Sequence, residues 1–124
     1  MTELLYKEES YKIIGACMEV HKELGKGFSE ILYGDALEIE FQKNNISYSR
    51  EKHFNINYKN NILPHYYYAD FVVNDTIILE LKAIKELTSS HIKQTLNYLA
   101  ASKLRLGLLI NFGEDSLSYK RIIL

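Results

Sequence analysis

The sequence predicts an α/β fold: a central mixed sheet of four to five strands flanked by helices, in the order ααβββαβ(β). Three observations lead there. Apolar residues recur at helical spacing up to about Lys43, the period then changes to two from His53 to Lys59, and two further strand-like runs separated by turn residues come next. A capped helical stretch and an almost wholly apolar run follow. Three meandering strands, one crossover helix and a buried strand imply a mixed sheet with helices packed on it.

Each element has its own signal. From Tyr6 to Leu24, the residues Ile13, Cys17, Val20 and Leu24 form one stripe, and Gly25 is placed to end the helix. Cys17 on that stripe reads as a small buried hydrophobe, because no basic residue is placed to lower its pKa. A second helix is expected from about Ser29 to Lys43, with Ile31, Leu37 and Phe41 inward and Asn44-Asn45 at its end. Phe54, Ile56 and Tyr58 alternate with polar residues, as in a half-buried strand. Asn60-Asn61 is the expected turn into "ILPHYYYADFVV", where Pro64 falls near the strand's start. Asn74-Asp75 turns the chain into "TIILELKA". Thr88 or Ser89 caps a helix reaching about Ser102. "LRLGLLINF" has the composition of a strand covered on both faces, and "SLSYKRIIL" supplies an edge strand.

The 124 residues fit one domain, 1–124, whose core needs no disulfide or structural metal. The formal charge is −1, and neither half carries a basic surplus, so any contact with nucleic acid must be local. "MTELLYKEES" lacks the apolar centre of a signal peptide, and no apolar run is long enough to span a bilayer. With a single cysteine there is no intrachain disulfide, which points to the cytoplasm and away from any membrane.

The chemistry concentrates in "DFVVNDTIILELK". With 16 acidic residues and 12 lysines, about one or two acidic-x-Lys triplets arise by chance, so Glu80-Leu81-Lys82 alone is weak. Its setting adds weight. Glu80 and Lys82 share one strand face, and a three-residue connection, Asn74-Asp75-Thr76, sets Asp70 opposite Glu80. A two-residue loop would instead set Asp70 against Leu79. Adjacent carboxylates repel unless a cation lies between them or one is protonated, and oxygen ligands of this kind suit Mg²⁺ or Mn²⁺. Lys82 then steadies charge on a phosphate or positions water. On the following helix, His91, Gln94 and Tyr98 form one polar stripe that reads either as a solvated face or as contacts to substrate. Glu30, in "GFSEILY", reads as a carboxylate complementing its helix dipole or as a further metal ligand, and Tyr33 as a core aromatic.

Taken together, "GFSEILY", "ADFVV…ILELKA", "QTLNYL" and "GLLINFG" resemble, in order and over nearly the whole chain, the small bacterial proteins named for a GxxExxY pattern. That family is grouped with the PD-(D/E)XK nuclease superfamily. The resemblance implies a three-layer, restriction-endonuclease-like αβββαβ core with Asp70, Glu80 and Lys82 at the D, E and K positions. Gln94 and Tyr98 are similar to the QxxxY element of RecB-type exonucleases, and Glu30 to the helix glutamate that members add near the metal. Ala69 stands where the superfamily's name has proline.

Three functions fit the sequence. One is a Mg²⁺-dependent nuclease acting on nucleic acid, DNA ahead of RNA. A second is a non-catalytic module of the same fold that binds nucleic acid or a partner protein. The third is a structural homodimer built on the ten tyrosines, with Tyr66, Tyr67 and Tyr68 as contact surface.

Overall fold

The structure, a computed structural model, describes residues 4–124, so Met1–Glu3 of the charged N-terminal stretch lie outside it. Helix α1 (Lys7–Leu24) ends at Gly25, whose φ of 68° suits a residue without Cβ. Helix α2 (Glu30–Lys43) starts where Ser29 Oγ accepts the Leu32 N–H. The remaining elements are β1 (Tyr48–Tyr58), β2 (Asn61–Val73), β3 (Ile77–Lys82), α3 (Ser89–Ser102), β4 (Leu106–Asn111) and β5 (Ser118–Ile123). The sheet runs β1-β2-β3-β4-β5, with β3 and β4 parallel across the α3 crossover and every other pair antiparallel. This is the mixed, helix-flanked architecture expected, with five strands.

Two apolar layers cover the sheet. Ile13, Cys17 and Val20 of α1 and Tyr33, Leu37 and Phe41 of α2 pack on Phe71, Leu79, Leu81 and Leu108. On the other face, Leu99 and its neighbours on α3 pack on Val72, Ile78 and Leu109. Burial pushes the Cys17 thiol far up, as suits a core residue.

Two local expectations are corrected. Ile31 does not face inward; it is 70% exposed, and Tyr33 takes the buried stripe with Leu37 and Phe41. Two residues at about 100° each put Ile31 on nearly the opposite side of the helix from Tyr33. The β1–β2 turn is Lys59-Asn60, not Asn60-Asn61, since Tyr58 pairs with Asn61. Both turn residues have positive φ, 48° and 66°, the combination a two-residue hairpin of matching twist requires.

One feature of β1 and β2 has no counterpart in the sequence pattern. Their ladder keeps one register from Tyr48↔Val73 to Asn55↔Tyr66 but omits Glu51 and Asp70, and Glu51 has φ 54°. Strict alternation would put Ala69 with Phe71. Instead Ala69, Tyr67 and Phe54 pack toward α3, while Phe71, Val73 and Tyr48 pack toward α1 and α2. One residue leaves the pleat on each strand, so the hairpin exchanges its two faces at Asp70.

Candidate active site

The β2–β3 connection has the length the site needs. Val73 pairs with Ile77 and Phe71 with Leu79, so Asn74, Asp75 and Thr76 form a three-residue loop. Asn74 and Asp75 turn with φ of 53° and 57°. The next positions are Asp70 and Glu80, and here the regular ladder stops. Asp70 Oδ2 accepts the Leu81 N–H at 2.7 Å in place of a backbone carbonyl. The strands therefore part at the point where the two carboxyls meet.

Glu80 is only 7% exposed, and its Oε1 is fully buried with no hydrogen-bond partner among the described residues. Burial, then the neighbouring Asp70 carboxylate, pushes the Glu80 carboxyl up to about 9. Lys82, on the same face of β3, pulls in the opposite direction, and Glu30 adds to the rise. Lys82 is partly exposed and belongs to no ion pair among the described residues.

"GFSEILY" explains how Glu30 arrives here. Gly27 adopts φ 113°, and Phe28 N–H donates to Tyr33 Oη, which itself donates to Gly25 O. Tyr33 stacks on Phe112 with ring centroids 4.5 Å apart. This anchored turn starts α2 beside the end of β3, where Glu30 Oε2 accepts the Ala83 N–H at 3.2 Å.

The helix stripe divides. Tyr98 stacks on Tyr67 at 4.1 Å, and Tyr67 Oη donates to Tyr98 O. Burial raises the Tyr98 phenol, with the charges of Glu80 and Asp70 adding to the rise. Gln94 is exposed one turn away. His91 is engaged elsewhere: its Nδ1 accepts the Thr88 N–H at 3.0 Å and helps cap α3.

Sequence reasoning missed three contributors. Tyr67 reads from the sequence only as part of a contact surface. Arg50 binds Asp35 at 2.6 Å, Glu38 at 3.0 Å and Ile31 O at 3.1 Å, fastening β1 to α2. Asn111, wholly buried, exchanges two hydrogen bonds with the Ile84 backbone and accepts the Gly113 N–H. With Phe112 N–H donating to Lys82 O, this clamp fixes the chain just after Lys82. An Asn ending the apolar run "LGLLIN" was the available signal.

The larger surface groove, about 550 Å³ between α1 and β5, contains none of these carboxylates. Asp70 instead lines a cavity of about 100 Å³ with Glu30, Glu51, Arg50 and Leu81. Shape favours the first, but Asp70 and Glu30 line only the second. Among the described residues no three His, Cys, Asp or Glu side chains gather closely enough to enclose an ion. The donor set still fits a hard divalent cation that keeps its waters. Two adjacent carboxyls, one with an orphaned buried oxygen, are destabilised by each other and relieved by positive charge.

The sequence matches the PD-(D/E)XK nuclease superfamily over residues 7–122, and the chain belongs to that superfamily. No curated protein matches it. The fold is similar to the crystal structure of SSO0001, with a TM-score of 0.58 and 19% identity over 95% of this chain. This chain spans 59% of that protein's length. It is also similar to an alkaline exonuclease, LHK-Exo, from Laribacter hongkongensis. There the TM-score is 0.51 at 14% identity, covering 99% of this chain and 72% of the other.

Proposed function

We propose that residues 1–124 form one nuclease domain of the GxxExxY type that hydrolyses phosphodiester bonds with Mg²⁺ or Mn²⁺, on DNA ahead of RNA. The observation that carries this reading is the Asp70–Glu80 pair, with Glu80 Oε1 buried and unpartnered. Asp70 and Glu80 would hold the cation, and Glu30 would stand at the open end of the site. A divalent ion there supplies positive charge to the phosphate and makes water a stronger nucleophile. Lys82 orients the attacking water and offsets charge as it builds on the phosphate. Gln94 and Tyr98, read as a RecB-type QxxxY element, contact the substrate backbone, with the Tyr67 ring supporting Tyr98. His91 lies in the first turn of α3 with Nδ1 held by the cap, so it would reach substrate through Nε2. No helix among the described residues is long and apolar enough to cross a membrane, and buried, unpaired Cys17 suits a cytoplasmic setting.

The test is cleavage of end-labelled DNA and RNA with Mn²⁺, wild type against Asp70→Asn. Cutting by the wild type alone is the expected result. The second reading, a binding module without catalysis, draws on the same pair: a proton on Glu80, held up to about 9, could bind the carboxyls without any metal. Failure of the wild type to cut any substrate would favour it.

A further inference from the structure

Beyond Glu51 and Asp70, the β1–β2 hairpin continues past the core, and its exchanged faces have different fates. Phe54 and Tyr67 turn toward α3. The opposite face carries His53, Tyr66 and Tyr68, which touch one another, with the Glu51 charge acting on Tyr68 from the hairpin's base. The His53 ring lies 4.3 Å from Tyr66 and 5.5 Å from Tyr68, and the two tyrosines meet edge to face at 5.4 Å. Tyr66 and Tyr68 remain 52% and 53% exposed. Clustered exposed aromatics of this kind mark a surface that meets something else.

Charge says what that something is. Residues 52–69 contain Lys52, His53, Lys59 and His65 and no acidic residue, in a chain whose net charge is −1. All four cationic or titratable side chains are exposed. Lys59 Nζ lies 5.4 Å from the Tyr58 ring centre, carrying the pairing of cation and aromatic to the hairpin tip. The basic residues that overall composition did not single out therefore gather on this hairpin, Lys52 on its α3 side with Phe54 and Ala69 and Lys59 at its tip. The hairpin is also continuous with the site: Glu51 follows Arg50 into the cavity that Asp70 lines, and Tyr68 precedes Asp70 by two residues on the same strand. At about 3.3 Å per residue, Tyr66 lies about 13 Å from Asp70, a span that calls for a polymer rather than a single nucleotide.

We propose that this face of the hairpin is a docking strip for single-stranded nucleic acid, with bases stacked on Tyr66, Tyr68 and His53 and the phosphate backbone met by Lys59 at the hairpin tip. The single strand is chosen because stacking on protein rings requires bases free of a duplex partner. The inference deepens the nuclease reading by naming the form of substrate delivered to Asp70 and Glu80. It also rests on that reading for the strip's purpose, though binding is measured apart from cleavage.

The experiment is fluorescence anisotropy of a labelled oligothymidylate in EDTA, so that its outcome is independent of whether the site cuts. Tyr66→Ala with Tyr68→Ala should weaken binding by roughly tenfold for each ring lost. Tyr66→Phe with Tyr68→Phe should restore it, because rings rather than hydroxyls stack. Lys59→Gln should lower the salt slope by about one. A blunt duplex of equal length should bind more weakly than the single strand and respond little to the tyrosine changes. The proposal is overturned if wild type does not bind the oligonucleotide or if the double alanine variant binds it equally well. It is also overturned if light scattering finds a dimer that the alanine changes dissociate while oligonucleotide affinity is unaltered. Loss of affinity in the alanine variant of a protein that never cleaves would keep the strip and reject the nuclease.

Discussion

Replacing Glu80 with glutamine should stabilise the metal-free protein, and the gain should grow with pH. The variant would present a neutral amide where the native carboxyl holds a proton. The ordinary value for such a carboxyl is 4.5, and in the fold it is pushed up to about 9. Below about pH 4.5 both the folded and unfolded chains carry the proton, so the native contribution is fully present. Between there and about 9 the unfolded chain gives the proton up while the folded one keeps it, and stability falls. Above about 9 the loss is complete. The slope cannot exceed about 1.4 kcal/mol per pH unit, which sets a ceiling near 5 kcal/mol at pH 8. Relaxation and water entry beside a partly open cavity bring the expected figure to about 2 kcal/mol. For a chain this size that corresponds to roughly 6–12 °C in Tm. Melting followed by circular dichroism in EDTA, from pH 5 to 9, measures it. The glutamine variant should match wild type near pH 5 and exceed it progressively toward pH 9. Melting curves that stay parallel across that range would refute the argument that Glu80 is held neutral by burial and by Asp70.

Millimolar Mn²⁺ should raise the wild-type Tm through preferential binding to the folded state, and Asp70→Asn should remove most of that rise; a thermal-shift series reads both. Lys82→Ala should leave the Mn²⁺-induced shift intact while slowing cleavage by about 10²- to 10³-fold in single-turnover assays, since it removes charge stabilisation rather than a metal ligand. Gly113→Ala should cost about 2–3 kcal/mol in denaturant unfolding, because the added Cβ would collide with the Ile84 backbone. Asn111→Ala should cost about 1–3 kcal/mol by leaving the Ile84 N–H without its partner, measured the same way.

Local pattern was enough for much of this molecule. Helical spacing located α1 and α2, and the turn chemistry of Asn74 and Asp75 set the loop length that brings Asp70 beside Glu80. These are relations between residues close in sequence, where backbone preference and alternation act directly. Relations across the fold escaped the pattern. The sequence reads Tyr33 correctly as a core aromatic, but that Ile31 would be left exposed beside it depended on which side of α2 the sheet covers. One local relation was missed as well: the Thr88 amide, three residues earlier, takes His91 Nδ1 into the cap of α3. The paired departure of Glu51 and Asp70 from the pleat required two strands to bend together, and a period-two reading assumes that neither does.

The sequence by itself determined the element order, the mixed sheet and the residue types of the candidate site, because hydrophobic period and turn residues encode them locally. Only the tertiary structure decided that Glu80 Oε1 would be buried without a partner, that Asn111 would clamp the chain after Lys82, and that the hairpin would present His53, Tyr66 and Tyr68 to water. Each of these depends on how far apart in the chain the contacting groups are and on which surface is left uncovered once α3 has packed.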